Sequence, residues 1–120
     1  MSYRLRSPGS AHAGLISWIV QRVSGVYLAG FVVYVVVRLL ASPIREHAAW
    51  QLWFTSGWVR LAWALAIGSL LLHAWIGMRS VYLDYLHPIW LRFTVSFVTG
   101  LGLIAAGLWA VDILVRAGAA

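Results

Sequence analysis

The chain has 120 residues, of which 62% are hydrophobic and 10% are charged, and its mean hydropathy is +0.86. This composition is typical of an integral membrane protein and leaves no room for a second domain. The net charge of +6 comes from arginines that flank apolar segments, which favours anchoring at membrane surfaces over nucleic-acid binding. Because there is no cysteine, disulfides, thiolate-ligated iron–sulfur clusters and thiol nucleophiles within this chain are excluded.

The N-terminal residues, 1–14, are predicted to form a polar leader, since they contain glycine and serine but no signal-peptide cleavage pattern. The first predicted span covers about residues 15–40 and is uninterrupted from Gly25 to Val37. Arg22 lies roughly one and a half turns inside this span. It is interpreted either as an arginine that snorkels to the membrane surface or as a cation that contacts a bound ligand.

Two more spans follow, at about residues 58–83 and 91–115, and Pro88 interrupts the helix between them. The connection between the first two spans is dense in aromatic residues, which is typical of an interfacial belt. Small residues recur four positions apart in the third span and predict close helix packing. The sequence therefore predicts an all-α integral membrane protein in which residues 15–115 form a domain of three transmembrane helices.

His73 lies well inside the second span, and an ionisable group within a bilayer is costly enough to suggest a function. Small residues dominate its side of the helical wheel, which carries Ala62, Ala66, Ser69, Gly77, Ser80 and Asp84. Such a stripe lets another helix or a flat ligand approach closely. Haem is the obvious ligand, because neutral imidazole is a common axial ligand of iron. The alternative is a histidine that only hydrogen-bonds a neighbouring helix.

Three spans place the two termini on opposite sides of the membrane. Five arginines, at positions 4, 6, 22, 79 and 92, go with the N-terminal side, and four go with the other side. This bias favours a cytoplasmic N-terminus. Asp84 and Tyr85, at the end of the second span, would then also lie at the cytoplasmic surface.

The motif His-Ala-Trp-Ile-Gly-Met at 73–78, followed by Asp84, Tyr85 and Pro88, resembles the hydrophobic membrane-anchor subunit of bacterial succinate dehydrogenase, the SdhD type. The likeness covers essentially the whole chain from Gln21 onward, through the three-span layout and the early arginine. The segment Gln-Arg-Val-Ser-Gly at 21–25 instead resembles the sister SdhC type, whose motif usually begins His-Arg. The sequence therefore does not distinguish between the SdhD type and the SdhC type.

The resemblance implies roles for four residues. His73 would be one axial ligand of haem b, and the second histidine would come from an SdhC-type cytochrome b subunit. The two chains would each form half of a heterodimeric haem-binding bundle. Tyr85, with Asp84 beside it, would border the site where ubiquinone is reduced. Arg22 would lie near a haem propionate or the quinone.

The resemblance also implies a place in a larger enzyme. The chain would be a membrane-anchor subunit of succinate:ubiquinone oxidoreductase in the bacterial cytoplasmic (inner) membrane. An iron–sulfur subunit and a flavoprotein subunit would deliver the electrons, and the isolated chain would perform no catalysis. The alternative from another class is a non-redox membrane scaffold, in which His73 only hydrogen-bonds within the helix bundle.

Overall fold

The computed structural model describes residues 8–119, with side chains from residue 14 onward. It contains four helices in chain order: α1 (Pro8–Ala41), α2 (His47–Thr55), α3 (Gly57–Tyr85) and α4 (Ile89–Ala119). No strand occurs among these residues, so the predicted all-α fold is confirmed. Residues 1–7 of the predicted leader lie outside the described residues.

Three of the helices contain apolar stretches long enough to cross a membrane, at Gly14–Ala41, Gly57–Tyr85 and Ile89–Ala119. This confirms the prediction of three transmembrane helices. At 1.5 Å per residue, α3 and α4 are each roughly 45 Å long, whereas the hydrocarbon core of a bilayer is about 30 Å thick. Their ends therefore extend into the interfacial layers, where arginine and aromatic side chains are favoured.

α3 is the central helix, because α1 packs along one of its sides and α4 along the other, while α1 and α4 do not contact each other within the described residues. Small residues allow both contacts. On the α1 side, the Tyr27 hydroxyl donates a hydrogen bond to the Ala62 carbonyl at 3.0 Å. On the α4 side, a Cβ added to Gly100 would lie 3.5 Å from the Trp75 ring, and one added to Gly107 only 2.9 Å from Leu71. The predicted close packing of the third span is confirmed at Gly100, whereas a Cβ added to Gly102, another of its small residues, would meet nothing within 4 Å.

The short helix α2 packs across the ends of α3 and α4 through aromatic side chains. The Trp63 ring of α3 lies 6.1 Å from that of Trp53, 5.5 Å from that of Phe54 and 5.0 Å from that of Phe31 on α1. The contacts with Trp53 and Phe31 are edge-to-face, an arrangement that aromatic quadrupoles favour. This aromatic cluster joins three helices at one membrane surface.

The opposite end of the bundle is fixed by the turn between α3 and α4. Arg92 donates two hydrogen bonds to the Leu86 carbonyl, at 3.1 and 2.9 Å. The hydroxyls of Tyr82 and Thr99 are 2.8 Å apart and join the two helices directly. Together these contacts hold the last turn of α3, which carries Asp84 and Tyr85, in a defined position.

Candidate functional site

His73 lies at the contact between α3 and α1, on the stripe of small residues predicted from the sequence. Its Nδ1 is 3.2 Å from the carbonyl oxygen of Gln21 and 3.3 Å from the hydroxyl of Ser24. Its Nε2 is 3.5 Å from the side-chain nitrogen of Gln21. Ser24 and Ala66 are the two buried residues among those whose side chains are described. The polar contacts of His73 therefore lie in the most enclosed part of the chain.

Three positions of α1 make these contacts because their spacing places them on one face. Gln21, Ser24 and Gly25 are related as i, i+3 and i+4, which brings them to the same side of a helix. Gly25 leaves room for the imidazole, since a Cβ at this position would lie 3.3 Å from Cε1 of His73. The sequence prediction that the stripe admits a close neighbour is confirmed, and in this chain the neighbour is helix α1.

One tautomer of His73 satisfies all of these contacts. With the proton on Nδ1, the ring donates to the Gln21 carbonyl or to the Ser24 hydroxyl, while Ser24 itself donates to the Gln21 carbonyl at 3.1 Å. Nε2 then keeps its lone pair and faces the amide group of Gln21. A histidine that binds a metal usually donates its other ring N–H in this way, which fixes the tautomer and the ring orientation.

The Gln21 side chain, which faces Nε2 of His73, is weakly held. The Gln21 contact is at the long limit of a hydrogen bond, and the buried Oε1 of the same side chain has no hydrogen-bond partner. Rotating this poorly satisfied side chain away would expose the lone pair of Nε2. No group of three or more histidine, cysteine or acidic residues that could hold a metal ion occurs among the described residues.

We expect Gly25→Val to destabilise the contact between α1 and α3. The larger side chain would have to displace the His73 ring, and overpacking of this kind typically costs about 1–3 kcal/mol. Gly30→Val is the matched control, since a Cβ at Gly30 meets nothing within 4 Å. The measurement is the thermal unfolding midpoint of the protein in detergent; equal midpoints for the two variants would contradict the observed fit at Gly25.

Arg22 does not contact His73 within this chain. Its side chain is exposed, and its guanidinium carbon lies 5.2 Å above the ring of Trp18 on the same helix. This cation–π contact holds the charge on the outer surface of α1. The structure therefore separates Arg22 from Gln21 and Ser24, its neighbours in the sequence motif, and leaves its guanidinium available to a group outside the chain.

Asp84 and Tyr85 lie at the end of α3, and both are exposed. The Tyr85 side chain is 76% exposed, and no hydrogen bond of its hydroxyl occurs among the described residues. A cleft of about 300 Å³ lies between these residues and His73, where α1 meets α3. Its polar lining residues are Ser17, Arg79 and Ser80.

Sequence reasoning missed Gln21 and Ser24 as partners of His73. The signal was present, because two polar residues three positions apart within an apolar span need partners inside the membrane. It also missed Arg92, which was counted only as a surface charge although it fixes the turn beside Tyr85.

Comparison with known proteins decides the family. The sequence profile of the succinate dehydrogenase/fumarate reductase transmembrane subunit matches residues 3–114, nearly the whole chain. The chain belongs to this family. A relative, the succinate dehydrogenase hydrophobic membrane anchor subunit of Coxiella burnetii, is 28% identical over 105 residues, which are 88% of this chain and 91% of the relative.

The family and the three spans together make the chain a multi-pass membrane-anchor subunit of the succinate dehydrogenase/fumarate reductase family. Membership of such a complex implies further subunits, in agreement with the expectation from the sequence. The family profile covers the segments of both α1 and α3 that meet at His73.

Proposed function

We propose that this anchor subunit supplies His73 as one axial ligand of a haem b. The observation that carries the proposal is the paired contact of the ring: Nδ1 lies 3.2 Å from a backbone carbonyl, and the lone pair of Nε2 is directed at a weakly held amide. When bound, haem b supplies one-electron redox chemistry within the membrane. The role of the chain is to orient the imidazole, keep Nε2 unprotonated and exclude water from the ring.

The second axial ligand is proposed to come from another chain, an SdhC-type cytochrome b subunit. Of the other histidines whose side chains the structure describes, His47 and His87 are both exposed and lie outside the three spans, so neither lies at the depth of His73. The exposed faces of α1 and α3 beside His73 give a partner helix access. The two anchors would then form the haem-binding bundle together.

We propose that Tyr85 and Asp84 border the quinone-reduction site, with ubiquinone as the substrate. A phenol can donate a hydrogen bond to a quinone carbonyl, and the Tyr85 hydroxyl has no competing partner among the described residues. Asp84 lies beside it and can orient the donor or relay a proton. The exposed Arg22 guanidinium is proposed to bind a haem propionate or to contact the quinone.

The complex is proposed to lie in the bacterial cytoplasmic membrane with the N-terminus of this chain in the cytoplasm. The excess of arginine on that side supports this orientation. Electrons from a flavoprotein subunit would then pass through an iron–sulfur subunit docked on the same surface as Tyr85. The chain would position these groups without performing the dehydrogenase chemistry itself.

A reduced-minus-oxidised optical spectrum of the purified complex, together with its succinate-driven quinone reductase activity, tests the proposal. We expect the absorption bands of a haem b with two histidine ligands and a quinone-dependent activity. The competing function is a non-redox scaffold, in which His73 only hydrogen-bonds to Gln21 and Ser24 within the helix bundle. If both the haem bands and the quinone reductase activity were absent, the non-redox scaffold would be the one remaining candidate function.

A further inference from the structure

The end of α3 carries Tyr85, and the helical hydrogen bonds stop directly after this residue. The closing bond runs from the Leu86 N–H to the Tyr82 carbonyl, at 3.0 Å. Pro88 has no N–H and therefore cannot extend the helix. Carbonyl groups at such a helix end need donors from outside the helix. The backbone next to Tyr85 therefore depends on another part of the chain.

Arg92 supplies a donor from the first turn of α4. Its Nε and Nη2 both donate to the Leu86 carbonyl, at 3.1 and 2.9 Å. Its backbone N–H donates to the Pro88 carbonyl at 3.0 Å, which holds Arg92 in the helix from which it reaches back. Two donors of one planar guanidinium fix both the distance and the direction of the oxygen, which a lysine ammonium does not do. Below, these two side-chain hydrogen bonds are called the Arg92 clamp.

The Arg92 clamp is partly shielded from solvent, although it lies near a membrane surface. Arg92 and Leu86 are both half-buried, whereas Asp84 and Tyr85 are exposed. The guanidinium lies at the C-terminal end of α3, where the helix dipole favours a positive charge. Hydrogen bonds from an ionised donor are also stronger than neutral ones. The clamp therefore holds the turn while the two candidate quinone residues beside it stay accessible.

The side chain of Tyr85 is not held by a hydrogen bond of its own among the described residues, and it is 76% exposed. On the N-terminal side of Tyr85, the hydroxyl of Tyr82 lies 2.8 Å from that of Thr99 on α4. On its C-terminal side, the Arg92 clamp holds Leu86. The position of the phenol is therefore set by a backbone that α4 fixes on both sides.

We propose that Arg92 is a positioning residue for quinone reduction. By holding the Leu86 carbonyl, it fixes the backbone from which the Tyr85 hydroxyl donates to a quinone carbonyl. A donor that is oriented before the substrate binds loses less freedom on binding, and a small misplacement of such a group lowers turnover. Arg92 itself does not touch the quinone. The inference rests on the proposed role of Tyr85 and adds the residue on which that role depends.

Hydrogen exchange and quinone kinetics of the purified complex test the proposal. Arg92→Gln should speed amide exchange in the peptide that contains Tyr85 and Leu86 about tenfold, because two hydrogen bonds from a charged donor are lost. The same variant should lower kcat/KM for quinone about tenfold, because the phenol is no longer held in place. Arg92→Lys keeps the charge and one donor, so both of its values should fall between those of Arg92→Gln and wild type. Arg45→Gln removes the same charge at an exposed position between α1 and α2 and should change neither measurement.

A double variant separates positioning of Tyr85 from general support of the fold. If Arg92 acts through the Tyr85 hydroxyl, Arg92→Gln should lower kcat/KM less than about twofold once Tyr85→Phe is already present, because the two effects are not additive. A further loss of about tenfold in the Tyr85→Phe background would show that Arg92 acts by another route, and would overturn the inference.

Two further outcomes distinguish this inference from the proposed role of Tyr85. Wild-type exchange or wild-type kinetics in Arg92→Gln, with Tyr85→Phe impaired, would overturn the role of Arg92 and leave that of Tyr85 intact. Wild-type kinetics in Tyr85→Phe would overturn the quinone role of Tyr85 and the inference with it. If Arg92→Gln does not assemble, Arg92→Lys takes its place, and wild-type values in both measurements would again overturn the inference.

Discussion

His73→Ala is expected to remove haem b from the assembled complex, with its absorption bands falling more than tenfold. The substitution deletes the only described histidine within a span and, with it, the axial bond to iron. It also leaves the Gln21 carbonyl and Ser24 hydroxyl without their ring partner. The measurement is the reduced-minus-oxidised spectrum, normalised to the amount of complex purified.

The matched control is His47→Ala, which removes an exposed histidine on α2 and should leave the haem bands unchanged. Helix packing does not rest on His73 alone, since Tyr27 and the buried Ala66 also lie between α1 and α3. Dye reduction by the soluble subunits that co-purify with this chain reports whether the complex still assembles. Normal haem bands in assembled His73→Ala complex would show that the axial ligand lies elsewhere.

Tyr85→Phe is expected to lower succinate-driven quinone turnover roughly ten- to a hundredfold. Removing a hydroxyl that bonds the substrate costs on the order of 1–3 kcal/mol, and nothing else in the chain is disturbed, because the side chain is 76% exposed. Haem content and dye reduction should both stay at wild-type levels. The measurement is steady-state quinone reduction with kcat and KM determined separately.

Tyr34→Phe serves as the control, because Tyr34 is an exposed tyrosine in α1 that packs near Phe31. It should leave quinone kinetics unchanged. If Tyr85→Phe behaves like Tyr34→Phe, Tyr85 belongs to the aromatic belt of the membrane surface and not to the quinone site.

The fold could be predicted from the sequence because each span is long, apolar and bounded by a clear interruption such as Pro88. The face of α3 that meets α1 could also be predicted, since small residues repeat at helical spacing around His73. The side-chain partners of His73 could not be predicted, because a helical wheel of α3 does not say which turn of α1 lies opposite. That register is set by contacts between the helices, such as the one from Tyr27 to Ala62.

The candidate quinone residues illustrate a different limit. Asp84 and Tyr85 could be placed at a membrane surface from hydropathy and spacing alone. The role of Arg92 could not be predicted from the sequence, because its two hydrogen bonds to the Leu86 carbonyl depend on how the chain turns at Pro88. Roles toward a quinone or a haem propionate require a second chain, and a single sequence contains no information about that surface.

The linear arrangement of α1, α3 and α4 has a consequence for the cell. With only Ser24 and Ala66 buried among the described side chains, the subunit has almost no interior of its own. For such a chain, conformational stability is inseparable from the concentration of whatever covers its surfaces. Copies of this subunit that are synthesised in excess over their partners should therefore be short-lived, because membrane proteases remove them. The amount of the subunit in the membrane is then set by assembly with its partners and not by its rate of synthesis.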